Sequence, residues 1–317
     1  MAQNDPYYDQ ERYWSPIYDG HGYDSPSTPT SLTDGHPLSS TASAAQETAV
    51  ESAILDPEQA DEEFSQKTVE SSDAATQMNS LGAELGTGSY DIDGMKADVY
   101  TVRIPWSHTF GDRDKLSLTL PISITNLKDV LAELDASNVL HLSDASVYGY
   151  GLNAAYTRKV ITKADNVPYR WNLTPSAGYF VRESSDMNLG SRIFNFGLSS
   201  SFAYQFSPGW IVNVGNSISY STSSGIKTYP DPIRDEQQVA VNGLQLIRMT
   251  GRWTFSAYIM DTRYFQTENT YVSNFQSYAL SAGFQITQKR SIKLSVVAES
   301  GEDYSSFRGM LGSTWKF

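Results

Sequence analysis

The sequence predicts an all-β chain: a transmembrane, antiparallel, up-and-down β-barrel of about twelve strands, behind a disordered and helical N-terminal region. Three observations carry this expectation. From Leu85 to Phe317, segments of roughly 9–14 residues alternate apolar with small polar side chains. The connections between those segments are by turns short and long. The chain then closes on an amphipathic segment that ends in Phe317.

Composition narrows the alternatives. The 317 residues include no Cys, so disulfides and thiolate metal sites are excluded. The four histidines, His21, His36, His108 and His141, are scattered with no pair at ligand spacing, so no metal or cofactor is expected. No run reaches the roughly 18 apolar residues of a transmembrane helix, a test blind to barrel strands, whose alternation averages out. Charge is segregated. Residues 1–80 hold 15 Asp/Glu against 2 Lys/Arg, whereas residues 81–317 hold 21 of each. No basic stripe suggests nucleic-acid binding.

The N-terminal region divides in two. Residues 1–43 carry Pro6, Pro16, Pro26, Pro29 and Pro37 among Ser, Thr, Asp and Gly, and bury too little apolar surface to offset the entropy of ordering. Tyr7, Tyr8, Tyr13, Trp14, Tyr18 and Tyr23 in that segment offer contacts for a protein partner, or are merely exposed rings. Residues 44–84 are rich in Ala, Glu and Gln and read as polar helix, either a solvated linker or a plug in the lumen. The start, Met1-Ala2-Gln3-Asn4-Asp5, has no basic or apolar export signal, so the barrel reading requires one removed from in front of it.

The barrel, residues 85–317, follows strand by strand. Leu85–Ile92 supplies the weakest strand, and Tyr100–Thr109 the next. Leu116, Leu118, Leu120, Ile122 and Ile124 interleave with Ser117, Thr119, Ser123 and Thr125. Val147–Tyr156 and Trp171–Val181 follow. Phe194, Phe196, Leu198, Phe202, Tyr204 and Phe206 alternate with polar or small residues, as do Trp210, Val212, Val214, Ile218 and Tyr220. Val239–Arg248, Trp253–Ile259, Tyr278–Ile286, Ile292–Ala298 and Phe307–Phe317 complete the set, with ten and fourteen as neighbouring counts. A period of two puts each set on its own face of a sheet. Ser207–Gly209 and Thr250–Gly251 are short connections; Leu127–Ala145, Arg182–Gly190, Thr222–Gln238 and Thr262–Val272 are long. That asymmetry is the bacterial barrel pattern.

The two faces differ in kind. One carries Trp, Tyr, Phe, Leu, Ile and Val; the other carries Ser, Thr, Asn, Gln and Gly, where a soluble sandwich would show Lys and Glu. Lipid outside and a crowded polar lumen inside explain both. Trp106, Tyr156, Trp171, Tyr179, Phe206, Trp210, Tyr220, Trp253, Tyr264 and Trp315 fall near strand ends, as interface belts would place them. Pro121 removes a ladder donor and suggests a bulge or a local distortion.

The last residues, Phe307 to Phe317, carry Leu311, Trp315 and Phe317, which resemble the end signature of bacterial outer-membrane barrels; that resemblance implies a signal of the kind the barrel assembly machinery reads. Together with Leu116–Ile124, Asn172-Leu173-Thr174-Pro175-Ser176, Asn242-Gly243-Leu244 and Asp261-Thr262-Arg263, this stretch resembles solitary autotransporter-type β-barrel domains. The resemblance implies a twelve-stranded barrel of the Gram-negative outer membrane, lacking a large passenger. A weaker resemblance is to small-substrate channels of the phenol-degradation type.

Parity nominates the lumen residues: Arg103, Asn153, Asn195, Gln205, Asn213, Gln285, Lys293, Glu299 and Arg308. Their charges would tune ion selectivity or pair to fill the interior. No catalytic constellation stands out. Ser107 and His108 are adjacent, but strand neighbours point to opposite faces. His141 and Asp144 share the Leu127–Ala145 loop, which also reads as a short helix packing on or into the barrel. Asp261 and Arg263 share a face and suit a rim ion pair or a pore entrance. Three functions remain: a translocator or small-solute pore contacting outer-membrane lipid, a structural or adhesion barrel whose residues 1–80 bind a partner, and an outer-membrane hydrolase.

Overall fold

A computed structural model describes residues 78–92, 95–111, 113–134, 140–162, 167–186, 189–225, 235–265, 274–302 and 304–317. The expected segments before Met78 lie outside the described residues. Twelve strands form one closed antiparallel barrel: β1 (Met78–Ile92), β2 (Met95–Phe110), β3 (Asp114–Leu134), β4 (Leu140–Ile161), β5 (Tyr169–Ser184), β6 (Leu189–Ser207), β7 (Trp210–Gly225), β8 (Asp235–Thr250), β9 (Trp253–Phe265), β10 (Asn274–Thr287), β11 (Arg290–Gly301) and β12 (Tyr304–Lys316). Each strand pairs with its sequence neighbours, and β1 pairs with β12 to close the sheet. Closure leaves no edge with unpaired backbone groups, which hydrocarbon does not tolerate. The seam is completed by the last residue. Phe317 N–H donates to the Asn79 carbonyl at 2.9 Å, and Asn79 N–H donates to the Phe317 carbonyl at 3.1 Å.

β1 begins at Met78, so residues 78–84, expected to close the helical linker, belong to the barrel. Most strands also outrun their expected bounds at the long-loop end. Within the Leu127–Ala145 segment, read as a loop with a short helix, the described residues instead continue β3 to Leu134 and begin β4 at Leu140. Leu131 pairs with Ser143 and Leu134 with Leu140 beyond a bulge. Past the lipid-facing band the outward residues become polar, such as Asp98, Asn126, Lys128 and Ser146 on β2–β4. The apolar period stops there while the backbone ladder continues. Crossing a bilayer takes about 9–11 strand residues; the 21 of β3 and 22 of β4 carry the wall well beyond it.

The opposite end is tightly turned. Pro208-Gly209 links β6 to β7, and Gly209 has φ +74°. A Cβ there would also lie 2.5 Å from the Met249 carbonyl oxygen, so the turn needs glycine twice over. Pro121 makes no bulge between β2 and β3. It faces Arg103 in unbroken register and only interrupts pairing toward β4, between Thr119↔Asn153 and Ile122↔Tyr150.

The outer face is apolar and exposed. Leu280 is 62% exposed, Leu85 58% and Leu294 57%. Residues facing the other way on the same strands, Ser277, Ser281 and Ser295, are buried. This inversion of a soluble core is the signature of a wall with lipid outside. Aromatic and basic groups gather at the short-turn rim. The Arg248 guanidinium lies 4.9 Å from the Trp210 ring centroid, and that of Arg290 lies 5.2 Å from Trp315.

Candidate functional site

The candidate site is the inner wall. Register carries Arg103, Asn153, Asn195, Gln205, Asn213, Gln285, Lys293, Glu299 and Arg308 onto that face, because their lateral partners, such as Gly178, Ser277 and Ser306, point inward too. They do not form a single constellation. They occupy different heights and sectors of the wall.

On one side, Ser201 Oγ donates to Asn213 Oδ1 at 2.8 Å, and Asn213 Nδ2 donates to Gln245 Oε1 at 3.2 Å. This chain crosses β6, β7 and β8 and satisfies polar groups that a lumen wall must otherwise leave dry. Asn195 lies over Gly178, where a Cβ would come within 2.1 Å of its Oδ1. Small inward residues are therefore what let the larger amides fit a narrow cylinder.

Near the long-loop end, Glu299 is buried and accepts from Ser306 Oγ at 2.6 Å, Ser277 Oγ at 3.4 Å and the Tyr304 hydroxyl, while the Arg308 guanidinium pairs with it. Four donors thus converge on one side chain, and charge-assisted hydrogen bonds of this kind are among the stronger ones. Around it stands a group that parity reading did not single out. Tyr264, Phe275 and Tyr304 pack with Val239, Val241 and Met260, and with Tyr90 and Tyr258 at the margin. Tyr264 had been expected in the outer belt. It falls on the inward parity of β9 and packs on Phe275 at 6.2 Å between ring centroids. Counting in twos from the outward Ile259 would have revealed it.

The same count exposes four inward cations that were missed: Lys115 on β3, Lys159 on β4, and Arg170 and Arg182 on β5. Lys316 on β12 is a fifth. Lys293 and Lys316 face a cavity at the short-turn mouth, together with Arg252, Lys289, Thr254 and Gln285. Among the described residues, no Asp or Glu lines that cavity.

The hydrolytic candidates separate. Ser107 faces inward and hydrogen-bonds Ser80 Oγ at 2.7 Å. His108 faces outward, stacked on Trp106 and edge-on to Phe110, with Nδ1 2.7 Å from Asn79 Oδ1. The two cannot share a substrate. The His141 side chain lies outside the described residues, and Asp144 faces outward. Asp261 and Arg263 form an outer ion pair at 2.7 Å, so they do not line a pore entrance. Leu311, Trp315 and Phe317 point outward and are exposed.

No protein-family model matches the sequence, and no curated protein matches it. Solved structures do resemble the fold. The translocator domain of autotransporter NalP from Neisseria meningitidis superposes with a TM-score of 0.55 at 12% identity, covering 78% of this chain and 90% of that one. The beta domain of the Bordetella autotransporter Brka gives 0.54 at 10% identity, over 75% and 99%. The transport unit of the autotransporter AIDA-I from Escherichia coli gives 0.50 at 10% identity, over 80% and 95%. At these identities the likeness is one of architecture: the chain has the barrel fold of autotransporter translocator domains.

Proposed function

We propose that this chain is an integral outer-membrane protein that serves as an autotransporter-like translocator or as a pore for small solutes. The observation that carries the reading is the inversion of the wall, with large apolar side chains outside and a polar, hydrogen-bonded, charged lumen inside. A barrel whose only task was to stay folded would gain more from an apolar filling than from a row of buried amides and an internal carboxylate. The fold shared with translocator domains supports the same reading. The nine lumen residues nominated from the sequence are the proposed lining. Leu311, Trp315 and Phe317 are the proposed signal for barrel assembly machinery. The stretch before Met78, acidic and rich in tyrosine at its start, is the part offered to a protein partner.

The full chain reconstituted in planar lipid bilayers tests the proposal. Stable stepwise conductance is the expected result. Silent bilayers, with the protein shown to be folded and inserted, would instead support the structural reading, to which the buried aromatic cluster of Tyr264, Phe275 and Tyr304 on the inward face lends weight.

A further inference from the structure

The inner wall is unevenly charged. Among the described side chains, its carboxylates are Glu84 on β1 and Glu299 on β11. Glu299 is engaged with Arg308, and Glu84 stands opposite Arg103 in register. The remaining inward cations are Lys115, Lys159, Arg170, Arg182, Lys293 and Lys316. Whatever contacts these groups make, eight positive charges face two negative ones across one lumen.

The acids are not scarce in the barrel; they are displaced. Asp91, Asp98, Asp114, Glu183 and Asp261 all take the outward parity. Several sit beside outward cations, as in the Lys128–Asp98 pair at 2.8 Å and the Arg158–Asp114 pair at 2.5 Å. So the near neutrality of residues 81–317 hides a radial separation of charge. A low-dielectric wall focuses the inner field rather than letting solvent screen it. The cavity at the short-turn mouth concentrates the effect, because Lys293 and Lys316 converge there with Arg252 and Lys289, and hydroxyls and amides from Thr254, Ser291 and Gln285 supply further donors.

We propose that the lumen selects anions, with Lys293 and Lys316 at the short-turn mouth as its selectivity-determining residues and small carboxylates, phosphates or halides as the ligand class. This refines the pore reading above, and its test does not depend on conduction. The chain has no cysteine, so Gln285→Cys introduces a unique thiol on the cavity wall. The full chain carrying a neutral fluorophore there, in uncharged detergent, is titrated with iodide, caesium and acrylamide, each normalised to the free dye. A wall potential of about one kT enriches anions and depletes cations nearly threefold each. Iodide is therefore expected to quench about sevenfold more effectively than caesium, with acrylamide between them. Lys293→Gln with Lys316→Gln should at least halve that ratio. Thr254→Cys provides a second label position on the same wall if the first does not fold. Equal quenching by iodide and caesium, a caesium preference, or a label shielded from all three reagents overturns the proposal. Silent bilayers beside strong iodide preference would remove the pore reading alone.

Discussion

Replacing one lipid-facing leucine by arginine distinguishes a membrane wall from a soluble one. Leu280 lies on the outer face of β10, seven residues before the strand ends at Thr287. At about 3.4 Å per residue and a tilt of about 45°, that places it roughly 17 Å along the normal from the short-turn rim. The hydrocarbon core is about 30 Å thick, so Leu280 sits near its midplane. Arginine at that depth costs about 2–4 kcal/mol, falling to about 0–1 near the interfaces. Ser313 supplies the control, on the same outer face but three residues from the end of β12. Reversible denaturant unfolding from liposomes, followed by the emission of the six tryptophans, should show Leu280→Arg destabilised by about 2–4 kcal/mol and Ser313→Arg by less than about 1 kcal/mol. If both substitutions cost under about 1 kcal/mol, the outer face is not solvated by lipid and the inside-out argument fails.

Other perturbations address the lumen and the seam. In Gly151→Ala the new Cβ would lie 2.5 Å from Phe180 Cδ1 and 2.6 Å from the Tyr179 carbonyl oxygen. Since backbone cannot rotate away, overpacking of about 1–3 kcal/mol is expected in the same assay, and an unchanged midpoint would show that the strands separate freely there. Arg308→Met strands Glu299 in the wall and should cost about 3–5 kcal/mol, most of it recovered when Glu299→Gln is added; no recovery would place the loss elsewhere than in the ion pair. Deleting Phe317 removes two backbone hydrogen bonds across the β1–β12 seam and an outward ring. Its folded, heat-modifiable form should accumulate more slowly in membranes, and wild-type kinetics would argue against the terminal residue as an assembly signal.

Much of this protein was legible along the chain because a barrel strand alternates strictly in twos. Outward residues such as Phe194, Phe196 and Leu198 announce β6 without help from neighbours. The strand number followed, since the connections along the sequence are mostly short at one end, as at Pro208-Gly209, and mostly longer at the other. Legibility ended where lipid ended. At the long-loop end, water accepts either face of the ladder, so Asp98, Asn126 and Lys128 leave no apolar rhythm by which strand could be told from loop. Residues 78–84 hide their strand for a related reason: Ser80, Gly82 and Glu84 face inward, and Leu81 is the one large apolar side chain among the outward Asn79, Leu81 and Ala83.

Inner contacts are another matter. Sequence assigns Glu299 and Arg308 to the lumen, but they pair because β11 and β12 are neighbours and Arg308 sits two residues beyond Ser306, opposite Glu299 in register. Nothing local could say that Tyr264 would meet Phe275, or that Lys293 and Lys316 would share one mouth. The alternation of hydropathy is a property of each strand and the solvent it meets, so the chain alone determined the wall, its inversion and its strand count. Register and closure depend on all twelve strands at once, and only the tertiary structure decided which inward charges face one another.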